Sequence, residues 1–344
     1  MKTVNVDLIK KIARGAEVLG SGGGGETQLI ELMALQLIEN RKTAQVISVE
    51  DVPNNALVIS VAIMGSNLIL KEKIPNGIEA LNVLRMLENY FGEKTYAVVP
   101  VEGAGVNALT PIVTAMNSGL PVIDADGMGR AFPELQMTTF HINGVSITPM
   151  AMSDEKGNTI FIDSVDNNAG EWFARGITRL MGGYSWIALY AMTGKELKNS
   201  AIKNTLTKAS IIGEILTDNA ENEWKIEEIC NLFNGTLLGE GKVINVRRMR
   251  LRRFYGGEAL VSGENKLKIV FQNEFLLAEN QEGRFFVPDI ITLLDMNTLK
   301  PVSTEELRKG LNVYVLGLPS DKKWKTEEGM KTVGPEVFGL DVFE

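Results

Sequence analysis

Two rhythms alternate along the first 125 residues. Apolar side chains recur at three- and four-residue spacing over residues 6–18 and 27–38, which predicts two amphipathic helices on either side of a glycine run. "QVISV" and "ALVISVAIMG" are dense in Val and Ile and predict strands. A third helix is expected over 76–90, with Ile78, Leu81, Leu84 and Leu87 turned inward. Then come the strand "YAVVPVE", a helix over 106–118 and the strand "PVIDADG". Strands this apolar are covered on both sides, so the pattern predicts an α/β fold with a mainly parallel sheet and helices on both faces.

The texture changes from Thr138. Short strands joined by Gly and Asp turns are expected in "MTTFHINGVSITPMAMSDEKGNTIFI", with His141 on a strand and a hairpin at "SDEKGNT". A helix over 168–180 and the strand "SWIALYAM" follow. "TGKEL" then opens a helical stretch reaching about Leu216, with Thr193 as its cap. Beyond Asn231 short strands at close intervals predict a β-rich domain of sandwich or barrel type. "VDNNAG" supplies a connector near Asp166, which divides the chain into an α/β domain over 1–166 and a β-rich domain over 167–344.

Charge and composition narrow the function. The 43 Asp and Glu outnumber the 35 Lys and Arg, which argues against general nucleic-acid binding because that rests on neutralising phosphates. "VRRMRLRRF" is the local exception, expected as a strand with Arg248, Arg250 and Arg252 on one side, facing solvent or another subunit. Charges interrupt "MKTVNVDLIKKIARG", so no leader-like segment opens the chain, and the longest apolar run is too short to span a bilayer. We therefore expect a cytoplasmic protein with a small-molecule substrate, no nucleic-acid or membrane partner, and assembly as a homo-oligomer. With one cysteine, Cys230, and one histidine, His141, a bound metal would have to be held mainly by oxygen. Cys230 reads as a helix-packing residue and His141 as a hydrogen-bonded structural one.

Ligands of a parallel sheet gather where strands end and loops lead into helices. "MGSN", "VEGAGVN" and "DADGMGRAFPELQ" all fall at such ends, and the glycine loop Gly22, Gly23, Gly24 and Gly25 also precedes a helix. Its amides could crowd around an anion or polarised oxygen, with Ser21 and Thr27 adding hydroxyls. It is no phosphate loop, because no Gly-Lys-Ser/Thr follows. Asp124 and Asp126 lie two apart, so on an extended strand end they point the same way. They could hold a divalent cation, split into acid and base, or merely cap helices and loop amides. Arg130 offers a cation for an acidic substrate group, Glu134 another polar contact, and Glu102 a further carboxyl. Asn107 either faces the same ligand or caps the helix that follows.

"LGSGGGG", "PVIDADGMGRAFPELQMTTF" and "GPEVFGLD" resemble the S-methyl thiohydantoin desulfurase-like proteins, over nearly the whole chain. "PDIITLLDMNTLKPVSTEELRKGLNVYVLGLP" is similar to that family's second domain. The resemblance implies an N-terminal α/β domain, a β-rich C-terminal domain, and hydantoinase-like removal of sulfur from a thiohydantoin ring. The expected function is therefore hydrolysis of a small cyclic amide, with Asp126 activating water, or Asp124 and Asp126 doing so through a metal. Loop amides would stabilise negative charge on the ring, and Arg130 would orient the substrate. The alternatives are a non-catalytic metabolite-binding module and a nucleotide-dependent hydantoin-opening enzyme. The hydrolytic expectation requires the glycine loop and the two aspartates to share one cavity.

Overall fold

A computed structural model describes residues 2–251 and 254–341. The first sheet has eight strands in the order Lys2–Thr3, Gln45–Ile47, Val122–Ile123, Ala97–Pro100, Leu57–Gly65, Tyr184–Thr193, Met150–Ser153 and Thr159–Ile162. The four from Gln45–Ile47 to Leu57–Gly65 run parallel, and every other pairing is antiparallel. The sheet is thus mixed, its parallel half being the region where strand and helix alternate in sequence.

Strand Leu57–Gly65 explains why a continuous apolar run belongs there. Leu57, Ile59, Val61 and Ile63 pack into one core, while Val58, Ala62 and Met64 pack into the core on the opposite face. Helices Val6–Leu19, Gln28–Glu39 and Val106–Ser118 serve the first of these faces. Helix Asn167–Leu180 contributes Ala174 to the second.

Two local expectations change. His141 lies on the short helix Thr139–Ile142, because the Thr138 hydroxyl accepts from the His141 amide at 3.0 Å and caps a helical turn there. The stretch opened by Thr193 is two helices, Gly194–Ser200 and Thr205–Thr217. Between them Ile202–Lys203 pairs with Ala125–Asp126, and Asn204 takes a left-handed φ of +62°, so tertiary pairing interrupts the helical pattern. Thr193 is indeed the cap, exchanging hydrogen bonds with Glu196 in a capping box. The hairpin at "SDEKGNT" also forms, with Gly157 at φ +86° and the Asp154 carboxylate holding the Lys156 and Asn158 amides.

The second sheet has seven antiparallel strands in the order Arg284–Phe286, Phe275–Glu279, Leu267–Phe271, Phe254–Ser262, Thr236–Leu251, Asn312–Leu318 and Ile290–Asp295, curled around its own core. Strand Tyr184–Thr193 lies within the first sheet, so that layer takes in chain beyond Asp166. Arg248 lies on strand Thr236–Leu251 and is no free surface cation: its Nη2 donates to the carbonyls of Thr304, Glu305 and Leu307. The side chain of Arg250 and all of Arg252 fall outside the described residues. No helix among the described residues is long and apolar enough to cross a membrane.

Candidate functional site

A cavity of about 250 Å³ opens at the carboxyl ends of the parallel strands, where the first domain meets the second. Strand Leu57–Gly65 supplies Ile63 to Gly65 and leads into Ser66 and Asn67; strand Ala97–Pro100 leads into Val101 and Glu102. The glycine loop gives Gly23 and Gly24, and the central motif gives Met128 and Ala131 to Leu135. Helix Asn167–Leu180 adds Arg175, and the second domain adds Asn273, Glu274 and Glu305.

The glycine run is explained by close approach. A Cβ on Gly22 would lie 2.5 Å from the Phe275 ring, and one on Gly23 would lie 2.6 Å from Glu274 Oε1. On Gly24 it would press on Gly105, and on Gly25, at φ +79°, on the Asn67 side chain. The loop is therefore the place where the second domain and two strand ends converge on one backbone. It is not a row of free donors, since the Gly23 and Gly24 amides both donate to the Gly20 carbonyl, at 2.8 and 3.2 Å.

Two buried carboxyl groups share the cavity. Glu102 is oriented by Asn107, whose Nδ2 donates to Glu102 Oε1 at 2.7 Å. Asn107 also receives the Ile63 amide at 2.7 Å and donates to the Ile63 carbonyl, so it fixes the strand end and the acid together. Glu274 stands in the turn between strands Leu267–Phe271 and Phe275–Glu279; its Oε1 accepts from Asn273 Nδ2 at 2.7 Å, and its buried Oε2 has no partner. Burial is the main force that lifts both, Glu102 to about 8 and Glu274 to about 7; the Glu274 charge further disfavours ionisation of Glu102, while the Arg130 and Arg175 guanidinium groups favour ionisation of Glu274. Near neutrality burial thus favours the protonated form in both acids, and more so in Glu102.

Of the residues singled out from sequence, Gly23, Gly24, Glu102, Asn107 and Glu134 line this cavity. The others do not, and the expectation that the glycine loop and both aspartates share one cavity is not met. Asp124 is taken up by Thr207, whose amide and hydroxyl both donate to its carboxylate. Asp126 accepts from the Gly103 and Gly129 amides at 2.5 and 2.7 Å, so the two acids serve different elements and form no pair. Among the described residues no group of three or more His, Cys, Asp or Glu side chains could hold a metal ion. Arg130 is 1% exposed and donates to the carbonyls of Ala131, Phe275 and Asp289, so it clamps the second domain onto the first. Arg175 is the cation that reaches this cavity, and its guanidinium also holds Glu171. Thr27 donates to Glu17 through its amide and hydroxyl. The Ser21 hydroxyl is buried without a partner, away from the cavity, while Gly22 and Gly25 line a small cleft of about 40 Å³ beside it. Glu274 was invisible in the sequence because "VFQNEFLLAE" looks like strand, and one acid in a hairpin turn carries no distinguishing signal.

A crystal structure of a protein from Chromobacterium violaceum has the same fold: 23% sequence identity, a TM-score of 0.80, and coverage of 99% of this chain and 98% of that one. No curated protein matches the sequence. The N-terminal domain of the S-Me-THD-like family matches residues 7–164, and the family's C-terminal domain matches residues 165–343. With both of its halves matched in order, the chain belongs to the S-Me-THD-like, or S-methyl thiohydantoin desulfurase-like, family.

Proposed function

We propose that this chain is a hydrolase of a small cyclic amide, with Glu102 and Glu274 in the roles expected of Asp124 and Asp126, which lie outside the cavity, and with an S-methylated thiohydantoin ring as the first substrate class to consider. The family supports the ring chemistry, and the cavity volume suits a five-membered ring with a short substituent. The observation that carries the proposal is that Glu102 and Glu274 line one cavity, both lifted by burial, with the Glu274 charge acting against ionisation of Glu102 and the Arg130 and Arg175 charges favouring ionisation of Glu274.

In this scheme ionised Glu274 removes a proton from water as the oxygen bonds to the ring carbon that bears sulfur. Protonated Glu102 donates to the ring nitrogen as the carbon–nitrogen double bond becomes single. The tetrahedral adduct then collapses: its hydroxyl proton returns to Glu102, a carbonyl forms, and the carbon–sulfur bond breaks. Glu274 gives its proton to the departing sulfur, so water and the thioether become a ring carbonyl and methanethiol. Arg175, which lines the cavity, would meet an acidic substituent on the ring.

The test is turnover of S-methyl thiohydantoins, followed by thiol release and by chromatography of the hydantoin. Glu102→Gln and Glu274→Gln should each lower kcat by about 100-fold or more. Full activity in both variants would remove the acid–base pair. Binding without turnover of any thiohydantoin, hydantoin or cyclic imide would instead make the protein a metabolite-binding module. Turnover only with ATP and magnesium would point to nucleotide-driven ring opening.

A further inference from the structure

Three carboxamide side chains line the first cavity, those of Asn67, Asn107 and Asn273. Asn107 is spent on the Ile63 backbone and on Glu102, and Asn273 donates to Glu274. The Asn67 side chain, by contrast, has no hydrogen bond among the described residues. It also lines the cleft of about 40 Å³ beside the cavity and a third space of about 380 Å³, so it borders open volume and not packed chain.

Gly25 shows how this group is held. A Cβ built there would lie 2.4, 2.6 and 2.7 Å from Asn67 Oδ1, Cγ and Nδ2. Distances so nearly equal mean that the planar carboxamide lies face-on to the glycine. The loop thus supports one face of the amide and leaves the in-plane edge, with its acceptor Oδ1 and donor Nδ2, open to a ligand. A cyclic amide whose ring nitrogen is unsubstituted presents the complement, an N–H beside a C=O that the ring fixes on one side. The two can exchange a pair of hydrogen bonds, as asparagine does with the edge of adenine. In the ring considered above, this edge is the N–H on the far side of the sulfur-bearing carbon from the nitrogen that Glu102 protonates, together with the carbonyl next to it.

We infer that Asn67 reads this amide edge, which restricts the substrate class to rings with an unsubstituted N–H beside a carbonyl. The inference rests on the cyclic-amide reading of the cavity. Hydantoin, the product ring of that scheme, carries the same edge, so calorimetric titration of the full chain measures its recognition without any sulfur release. The parent protein should bind hydantoin at least about tenfold more tightly than the analogue methylated at the nitrogen between the two carbonyls. Asn67→Leu, which keeps the volume, should reduce that preference to about twofold or less. Asn67→Asp, which keeps the shape but sets an acceptor against the ring carbonyl, should bind hydantoin about tenfold more weakly than the parent. In turnover of an S-methyl thiohydantoin, Asn67→Leu should raise KM about tenfold, keep kcat within about threefold and preserve both limbs of the pH profile. Equal binding of the two rings by the parent protein, no binding of either, or an Asn67→Leu chain that unfolds like the parent and keeps the preference would overturn the inference. Discrimination between the rings with no thiol release from any thiohydantoin would overturn the hydrolytic reading and leave Asn67 in this role; thiol release without discrimination would do the reverse.

Discussion

Gly23 has Glu274 against it on one side and the first cavity on the other. Gly23→Ala would put a methyl group 2.6 Å from Glu274 Oε1 and 2.8 Å from the Asn273 carbonyl, so the acid and its turn must move. We expect a loss of about 1–3 kcal/mol in stability, read by denaturant unfolding, and a fall in kcat/KM larger than that in binding. In the proposed scheme the two acids also set a pH profile. The productive form needs Glu274 ionised and Glu102 protonated, so kcat/KM should rise through about 7 and fall beyond about 8. Glu102→Gln should erase the alkaline limb and leave the acid limb in place. Asp126→Asn should cost far less activity than Glu102→Gln, because Asp126 serves the Gly103 and Gly129 amides and not the cavity. An equal loss in both would return Asp126 to the chemistry.

At the scale of helices and strands, most of the architecture could be read before any coordinates. The continuous apolar run predicted a strand covered on both faces, which Leu57–Gly65 is, and Thr193 was read as a helix cap, which the structure completes as a capping box with Glu196. Thr193→Ala should therefore destabilise the protein by about 1 kcal/mol in denaturant unfolding. The breaks were harder. Nothing in the apolar pattern from Gly194 to Leu216 announces that Ile202–Lys203 will leave the helix to pair with Ala125–Asp126. The candidate site was half legible for the same reason. Strand ends named Glu102 and Asn107 by position, whereas Asp124 and Asp126 looked like a pair only because strand periodicity ignores which partners each carboxylate finds. Glu274 lies 172 residues after Glu102 in the sequence. Periodicity says which face a residue occupies, not which distant surface that face will meet.

Across the whole molecule the buried acids link stability to pH. Glu102 and Glu274 are lifted from 4.5, and Asp126 from 3.8 to about 7, chiefly by burial. Each binds its proton more tightly in the folded state than in the unfolded one. Their stabilisation is thus complete at low pH and is lost as pH climbs through about 7 to 8. Tm should fall between pH 5.5 and pH 9, and Asp126→Asn should flatten that fall; a rise in Tm over the same interval would contradict the linkage. Arg130 works at this scale too, because its guanidinium joins the central motif to the Phe275 and Asp289 carbonyls. Arg130→Met should leave those carbonyls unpaired at the domain junction and cost about 3 kcal/mol, measured by denaturant unfolding.

The junction has one more implication. Glu102 follows a strand of the first sheet and Glu274 a strand of the second, so neither half holds both acids of the proposed pair. Under the proposed scheme a nascent chain would remain inert until its last sheet had closed, and release of the thiol would be withheld from every partly assembled intermediate. Substitutions at the seam would then silence the protein while leaving each half well formed.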